Sequence, residues 1–121
     1  MRNFIHDFCR LLYGDKGSTK SFMLILMENK VRAHVFVSGR VQGVRFREST
    51  YQKAQKLGVF GWVKNIPNSK VEMIFEGEED NIKKLTKWAK TGPIFAKVNN
   101  IEVYWEEYKG EFSGFEIKYE I

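Results

Sequence analysis

Cysteine is nearly missing from this chain of 121 residues: the single one, Cys9, allows no intrachain disulfide and no cysteine-based metal cluster. That scarcity fits a reducing cytoplasm. No H-E-x-x-H or D-x-D spacing marks a metal site, no Gly-Lys-Ser/Thr completes a P-loop, and the G-x-G-x-x-G spacing of a dinucleotide fingerprint is lacking. Long hydrophobic runs are lacking too. Phe22-Met-Leu-Ile-Leu-Met27 falls far short of the ~20 residues that span a bilayer. The Glu28-Asn-Lys30 after it replaces the small-residue cleavage site of a signal peptide. These absences exclude a disulfide scaffold and a helical membrane span.

What is present suits one soluble globular domain with a modest core. The net charge is +5 and the pI about 9.3, which favours anionic partners such as phosphate esters, nucleic acid or a membrane surface. Arg2, Arg10, Lys16 and Lys20 against Asp7 and Asp15 place +2 of that charge in residues 1–26, leaving +3 for the rest. This excess is below what a dedicated nucleic-acid binder tends to carry.

Two regions differ in pattern. Phe4, Ile5, Phe8, Leu11 and Leu12 form an amphipathic helical stripe, and Gly14–Ser21 reads as a flexible link. From residue 31 the periods alternate. Val31–Ser38 is an expected strand with Ala33, Val35 and Val37 on one face. Phe46–Leu57 is an expected helix with Phe46, Thr50, Ala54 and Leu57 inward and Gly58 as terminator. Val59–Asn65 and Lys70–Glu76 follow as strands. Glu78–Thr91 is a second helix with Ile82, Leu85, Trp88 and Ala89 inward, ending at Gly92-Pro93; strands around 96–106 and 113–120 close the chain. The order βαββαβ, with one further short strand, predicts an α+β, ferredoxin-like two-layer sandwich: two helices on one face of a mainly antiparallel sheet.

The junction between first strand and first helix carries the chemistry. It reads Gly39-Arg-Val-Gln-Gly-Val-Arg-Phe-Arg47. A loop entering a helix leaves backbone N–H groups unpaired at the positive end of the helix dipole, a ready site for an anion. Arg40, Arg45 and Arg47 crowd the same place, where cations without an anion oppose the dipole. On spacing alone the glycines serve turn chemistry equally well and the arginines a solvated surface.

The same nine residues resemble the first signature of the acylphosphatase family. Gly61-Trp-Val-Lys-Asn65 resembles the second, and Gly114-Phe-Glu-Ile-Lys-Tyr119 is similar to the family's ending. The resemblance covers about residues 31–121 and makes residues 1–30 a non-family extension, with Met27 a natural start; a docking helix is the alternative reading of that extension. One departure is Ser69, where the family has glycine in the turn Ile66-Pro-Asn-Ser-Lys70. Asn68 is the residue expected to take the left-handed position instead.

The resemblance implies hydrolysis of acyl phosphates to carboxylate and inorganic phosphate, without metal or other cofactor. It assigns phosphoryl binding to Arg47 and to a loop comprising Arg40, Val41, Gln42, Gly43, Val44 and Arg45, and water positioning to Asn65. The residue chemistry agrees. A forked guanidinium grips two phosphoryl oxygens where a lysine does not, and a carboxamide oxygen accepts from a water. The implied partners are a small acyl phosphate and inorganic phosphate as product and competitive inhibitor, acting on a monomer; nucleic acid and membrane are not expected. Two other functions compete. This sandwich also serves RNA recognition, yet Val59-Phe-Gly-Trp-Val63 lacks the basic-Gly-aromatic opening of an RNA-binding strand. Acylphosphatase-like domains also head larger carbamoyl-transfer proteins, whose zinc-binding and transferase regions this chain lacks. His34 is read as a plain strand residue, Glu76, Glu78, Glu79 and Asp80 as helix-start charges, and Trp62, Trp88 and Trp105 as packing residues.

Overall fold

The computed structural model describes residues 29–119. The amphipathic stripe of residues 4–12, the link at 14–21, the apolar run at 22–27 and Cys9 lie outside the described residues.

The element order is β1 (Lys30–Arg40), α1 (Phe46–Leu57), β2 (Phe60–Ile66), β3 (Lys70–Glu78), α2 (Glu79–Ala89), β4 (Lys97–Glu106) and β5 (Phe115–Lys118). The five strands form one sheet in the order β4-β1-β3-β2-β5. All neighbours are antiparallel except β2 and β5. Both helices lie on one face, giving the ferredoxin-like α+β sandwich. Among the described residues no helix is long and apolar enough to cross a membrane.

Strand alternation decides the layers. Ala33, Val35 and Val37 of β1 and Val71, Met73 and Phe75 of β3 are fully buried against the helices, while Arg32, His34, Glu72 and Glu76 occupy the other face by the period of two. Helix α1 contributes Phe46, Thr50 and Ala54, and α2 contributes Ile82, Leu85 and Ala89. The first helix ends in a Schellman arrangement: Gly58 takes φ 67° and donates to Gln55, and Val59 donates to Ala54 at 2.9 Å. Helix α2 stops at Ala89, short of the expected Thr91. Thr91 and Gly92 both donate to the Trp88 carbonyl, at 3.0 and 2.8 Å, which tightens the last turn before Pro93 removes a donor.

Gly61 shows how closely the sheet is built. A Cβ there would sit 1.8 Å from the Ile74 carbonyl oxygen, and its φ is 140°. Only glycine fits. Trp105 departs from expectation: it lies on the edge strand β4 and is 45% exposed. The sequence does not show that β4 falls outside β1, where a large side chain lacks neighbours on one flank.

Candidate active site

Strands β1 and β2 both run antiparallel to β3, and β5 runs parallel to β2. All three therefore end at the same edge of the sheet. The loop after β1, Asn65 near the end of β2 and Tyr119 just past β5 are brought together by topology alone. The register sharpens this: Val71 of β3 pairs with Val37 on one side and Asn65 on the other. Asn65 thus occupies a helix-facing position, in line with buried Val63, where alternation calls for an apolar residue.

The loop is shaped by backbone bends. The β1–β4 register shifts between Ser38 and Gly39, a bulge that re-aims the end of β1. Val41 is buried and anchors the loop in the core. Gly43 has φ 75° and Arg45 φ 64°, ψ 28°. Positive φ two residues apart is the kind of bend that builds anion-binding nests. For arginine it is a strained conformation, of the sort stored at functional sites. Arg45 is also the N-cap of α1, and no side chain caps that helix. The N–H groups of Phe46, Arg47 and Glu48 have no carbonyl one turn back, and the first helical bond is Ser49 to Arg45 at 3.0 Å. Phe46, fully buried and 5.4 Å from the Trp88 ring, pins this helix start to α2.

A cleft of about 220 Å³ opens here, lined by Val41, Gly43, Arg45, Phe46, Arg47, Glu48 and Asn65. Arg45 pairs with Glu48 at 3.0 Å, both exposed, a contact worth ~1 kcal/mol at most. Arg47 pairs with no carboxylate among the described residues. Its guanidinium stacks 4.9 Å above the Tyr119 ring, which orients the fork without neutralising it. The Asn65 Oδ1 is buried and has no hydrogen-bond partner among the described residues. An acceptor in that condition is rare and costly, by ~1–3 kcal/mol. The cleft thus brings together an uncapped helix start, a cation with no carboxylate partner among the described residues, and Asn65, whose buried acceptor has no partner among them.

A sequence model of the family described as Acylphosphatase matches residues 33–117. The chain belongs to the acylphosphatase family. It is 48% identical over 91 residues to an acylphosphatase of Pelotomaculum thermopropionicum, covering 75% of this chain and 99% of that one. An acylphosphatase of Pyrobaculum aerophilum is 53% identical over 87 residues, covering 71% and 92%. The solved acylphosphatase of Coxiella burnetii superposes with a TM-score of 0.71 at 42% identity, covering 75% of this chain and 95% of that one.

In this acylphosphatase fold the residues singled out from sequence part company. Val41, Gly43, Arg45, Arg47 and Asn65 line the cleft. Arg40 does not: it is the exposed last residue of β1, paired with Lys97. Val44 packs against the core. Gln42 turns its side chain to the β2–β3 turn, donating to the carbonyls of Ile66 at 2.7 Å and Lys70 at 2.9 Å. In that turn both Asn68 and Ser69 adopt positive φ, 71° and 57°, so Asn68 takes the left-handed position without sparing Ser69.

Sequence reading missed Tyr119, Glu48 and a polar network on the open face. Glu76 is buried and unrelated to helix capping. It accepts from Arg32 at 3.0 Å and from the backbone N–H groups of Lys109 and Glu111, which fastens the loop before β5 to the sheet. Burial alone would lower the Arg32 pKa, but bonds to Glu111, Glu76 and Glu106 outweigh it and hold the group above its ordinary value. His34 does have a partner: Nε2 lies 2.6 Å from Glu72, which sits diagonally across the β1–β3 ladder, two residues from Ile74, the direct pair of His34. These contacts join residues dozens of positions apart, and only strand register reveals them.

Proposed function

We propose that this chain is an acylphosphatase working by direct attack of water on a phosphoryl group held in the cleft. The substrate is a carboxylic–phosphoric anhydride, already activated, so positioning and charge stabilisation suffice. Backbone N–H groups of the loop and of the start of α1 bind phosphoryl oxygens, and Arg47 grips two of them in its fork. Asn65 accepts a hydrogen bond from the attacking water and aligns it. The water oxygen bonds to phosphorus as the bond to the carboxyl oxygen breaks. The water proton passes to a phosphoryl oxygen, giving carboxylate and dihydrogen phosphate. No side-chain nucleophile and no metal takes part in this scheme.

The observation that carries the reading is that Asn65, whose buried Oδ1 has no hydrogen-bond partner among the described residues, lines the same cleft as Arg47 and the uncapped helix start. Inorganic phosphate, as product, competes for the cradle. The enzyme acts as a cytoplasmic monomer and needs neither nucleic acid nor membrane. The test is Asn65→Ala: turnover of an aryl acyl phosphate should fall by ~10²-fold or more, while inhibition by phosphate changes little. Retained turnover with lost phosphate inhibition would assign Asn65 to binding and overturn its role on water.

A further inference from the structure

One side chain joins the two halves of the cleft. Gln42 leaves the cradle loop and its Nε2 donates to the carbonyls of both Ile66 and Lys70. Those two residues are the last pair of the β2–β3 ladder, and Asn65 immediately precedes one of them. Beyond that pair the turn carries two non-glycine residues at positive φ, a conformation that persists only where surroundings over-determine it. A single part-buried amide therefore ties the loop that shapes the cradle to the base of a strained turn beside Asn65.

We infer that Gln42 is a positioning residue: its side chain fixes the spacing between the phosphoryl cradle and the Asn65 amide, and so the alignment of the water. This rests on the water-orienting reading of Asn65. The alternative role, phosphoryl binding by the side chain itself, is at odds with geometry, since both Nε2 hydrogens are spent on backbone carbonyls. Misplacing a reacting group by about an ångström costs up to ~10²-fold in rate. Losing the tie should therefore act on kcat and spare binding.

The experiment is a double-mutant cycle of Gln42→Met and Asn65→Ala, with a stable aryl acyl phosphate as substrate and inorganic phosphate as inhibitor. Methionine keeps the length and volume of glutamine and removes both donors. Gln42→Met alone should lower kcat by ~10–10²-fold, leaving phosphate inhibition within about threefold. In the Asn65→Ala background the same substitution should cost less than about twofold, because there is no alignment left to lose. Equal losses in both backgrounds, or a loss confined to phosphate binding, would overturn the inference while leaving Asn65 in place. An Asn65→Ala enzyme with unchanged kcat would remove the reading beneath it as well.

Gln42→Glu gives an isosteric second test should the methionine variant fail to fold. Its carboxylate has no hydrogen to donate and faces two carbonyl oxygens at neutral pH. The protonated acid regains one donor, and its part-buried place against two carbonyl oxygens moves that protonation to a pH above the ordinary ~4.3 of a glutamate. The ratio of its kcat to that of the parent should rise as pH falls through that protonation. A flat ratio contradicts the inference.

Discussion

Ser69→Gly should stabilise this protein, and by an amount the backbone allows to be worked out. Ser69 sits at φ 57° in the turn between β2 and β3, next to Asn68 at φ 71°. A Cβ in the left-handed region costs roughly 1–2 kcal/mol. Glycine removes that cost but gives the unfolded chain more freedom, a loss of roughly 0.5–1 kcal/mol. The difference is a net gain of about 0.5–1 kcal/mol. For a domain of this size one kcal/mol moves Tm by ~4–8 °C, so the expected rise is ~2–8 °C. Asn68→Gly is the internal control. Asparagine tolerates the left-handed region through local hydrogen bonding, so its replacement relieves less strain against the same entropic loss and should shift Tm by about 2 °C or less. Thermal unfolding followed by circular dichroism, on parent and both variants, decides the matter. A fall in Tm for Ser69→Gly, or a larger gain at Asn68, would refute the strain argument.

Further expectations concern the sheet, the buried ion cluster and the arginine clamp. Gly61→Ala forces a Cβ to 1.8 Å from the Ile74 carbonyl oxygen; it should cost more than ~4 kcal/mol, visible in urea unfolding as a chain with little or no native baseline. Arg32→Met leaves the Glu76 carboxylate buried with only the Lys109 and Glu111 N–H groups for company, and should destabilise by about 3–5 kcal/mol. Adding Glu76→Gln removes the stranded charge and should return part of that loss, which a double-mutant cycle measures. Tyr119→Leu removes the ring beneath Arg47 and should lower kcat/KM by ~2–5-fold, the scale of an exposed cation–π contact of about 0.5–1 kcal/mol.

Local patterning made much of this legible in sequence. The helix Phe46–Leu57 shows its apolar stripe and its terminating Gly58, and the structure places both ends there. The strands declare themselves by alternation, since each has one face on the core. The cleft was readable where it depends on the chain's own continuity: the strand–loop–helix junction and Arg47 within it. Asn65 needed the family signature, because a polar residue before Ile66-Pro67 reads equally as turn chemistry. What sequence hid is what strand order and register decide. Glu72 reaches His34 and Glu76 reaches Arg32 across a ladder, Tyr119 reaches Arg47 because β5 runs beside β2, and Trp105 is exposed because β4 is an edge. Gln42 lay inside the motif yet turned out of the cleft. The one-dimensional pattern does not say which way a loop side chain points.

The proposed Arg47-centred cradle hydrolyses acyl phosphates without help from a metal. The most direct measurement is hydrolysis of a simple aryl acyl phosphate in EDTA by the parent chain and by Arg47→Ala, with the fold of each checked by circular dichroism. The parent should keep full turnover in EDTA and the variant should lose ~10²–10³-fold, the scale of removing one preorganised donor from developing charge. A requirement for added Mg²⁺, or an Arg47→Ala enzyme as fast as its parent, would contradict it.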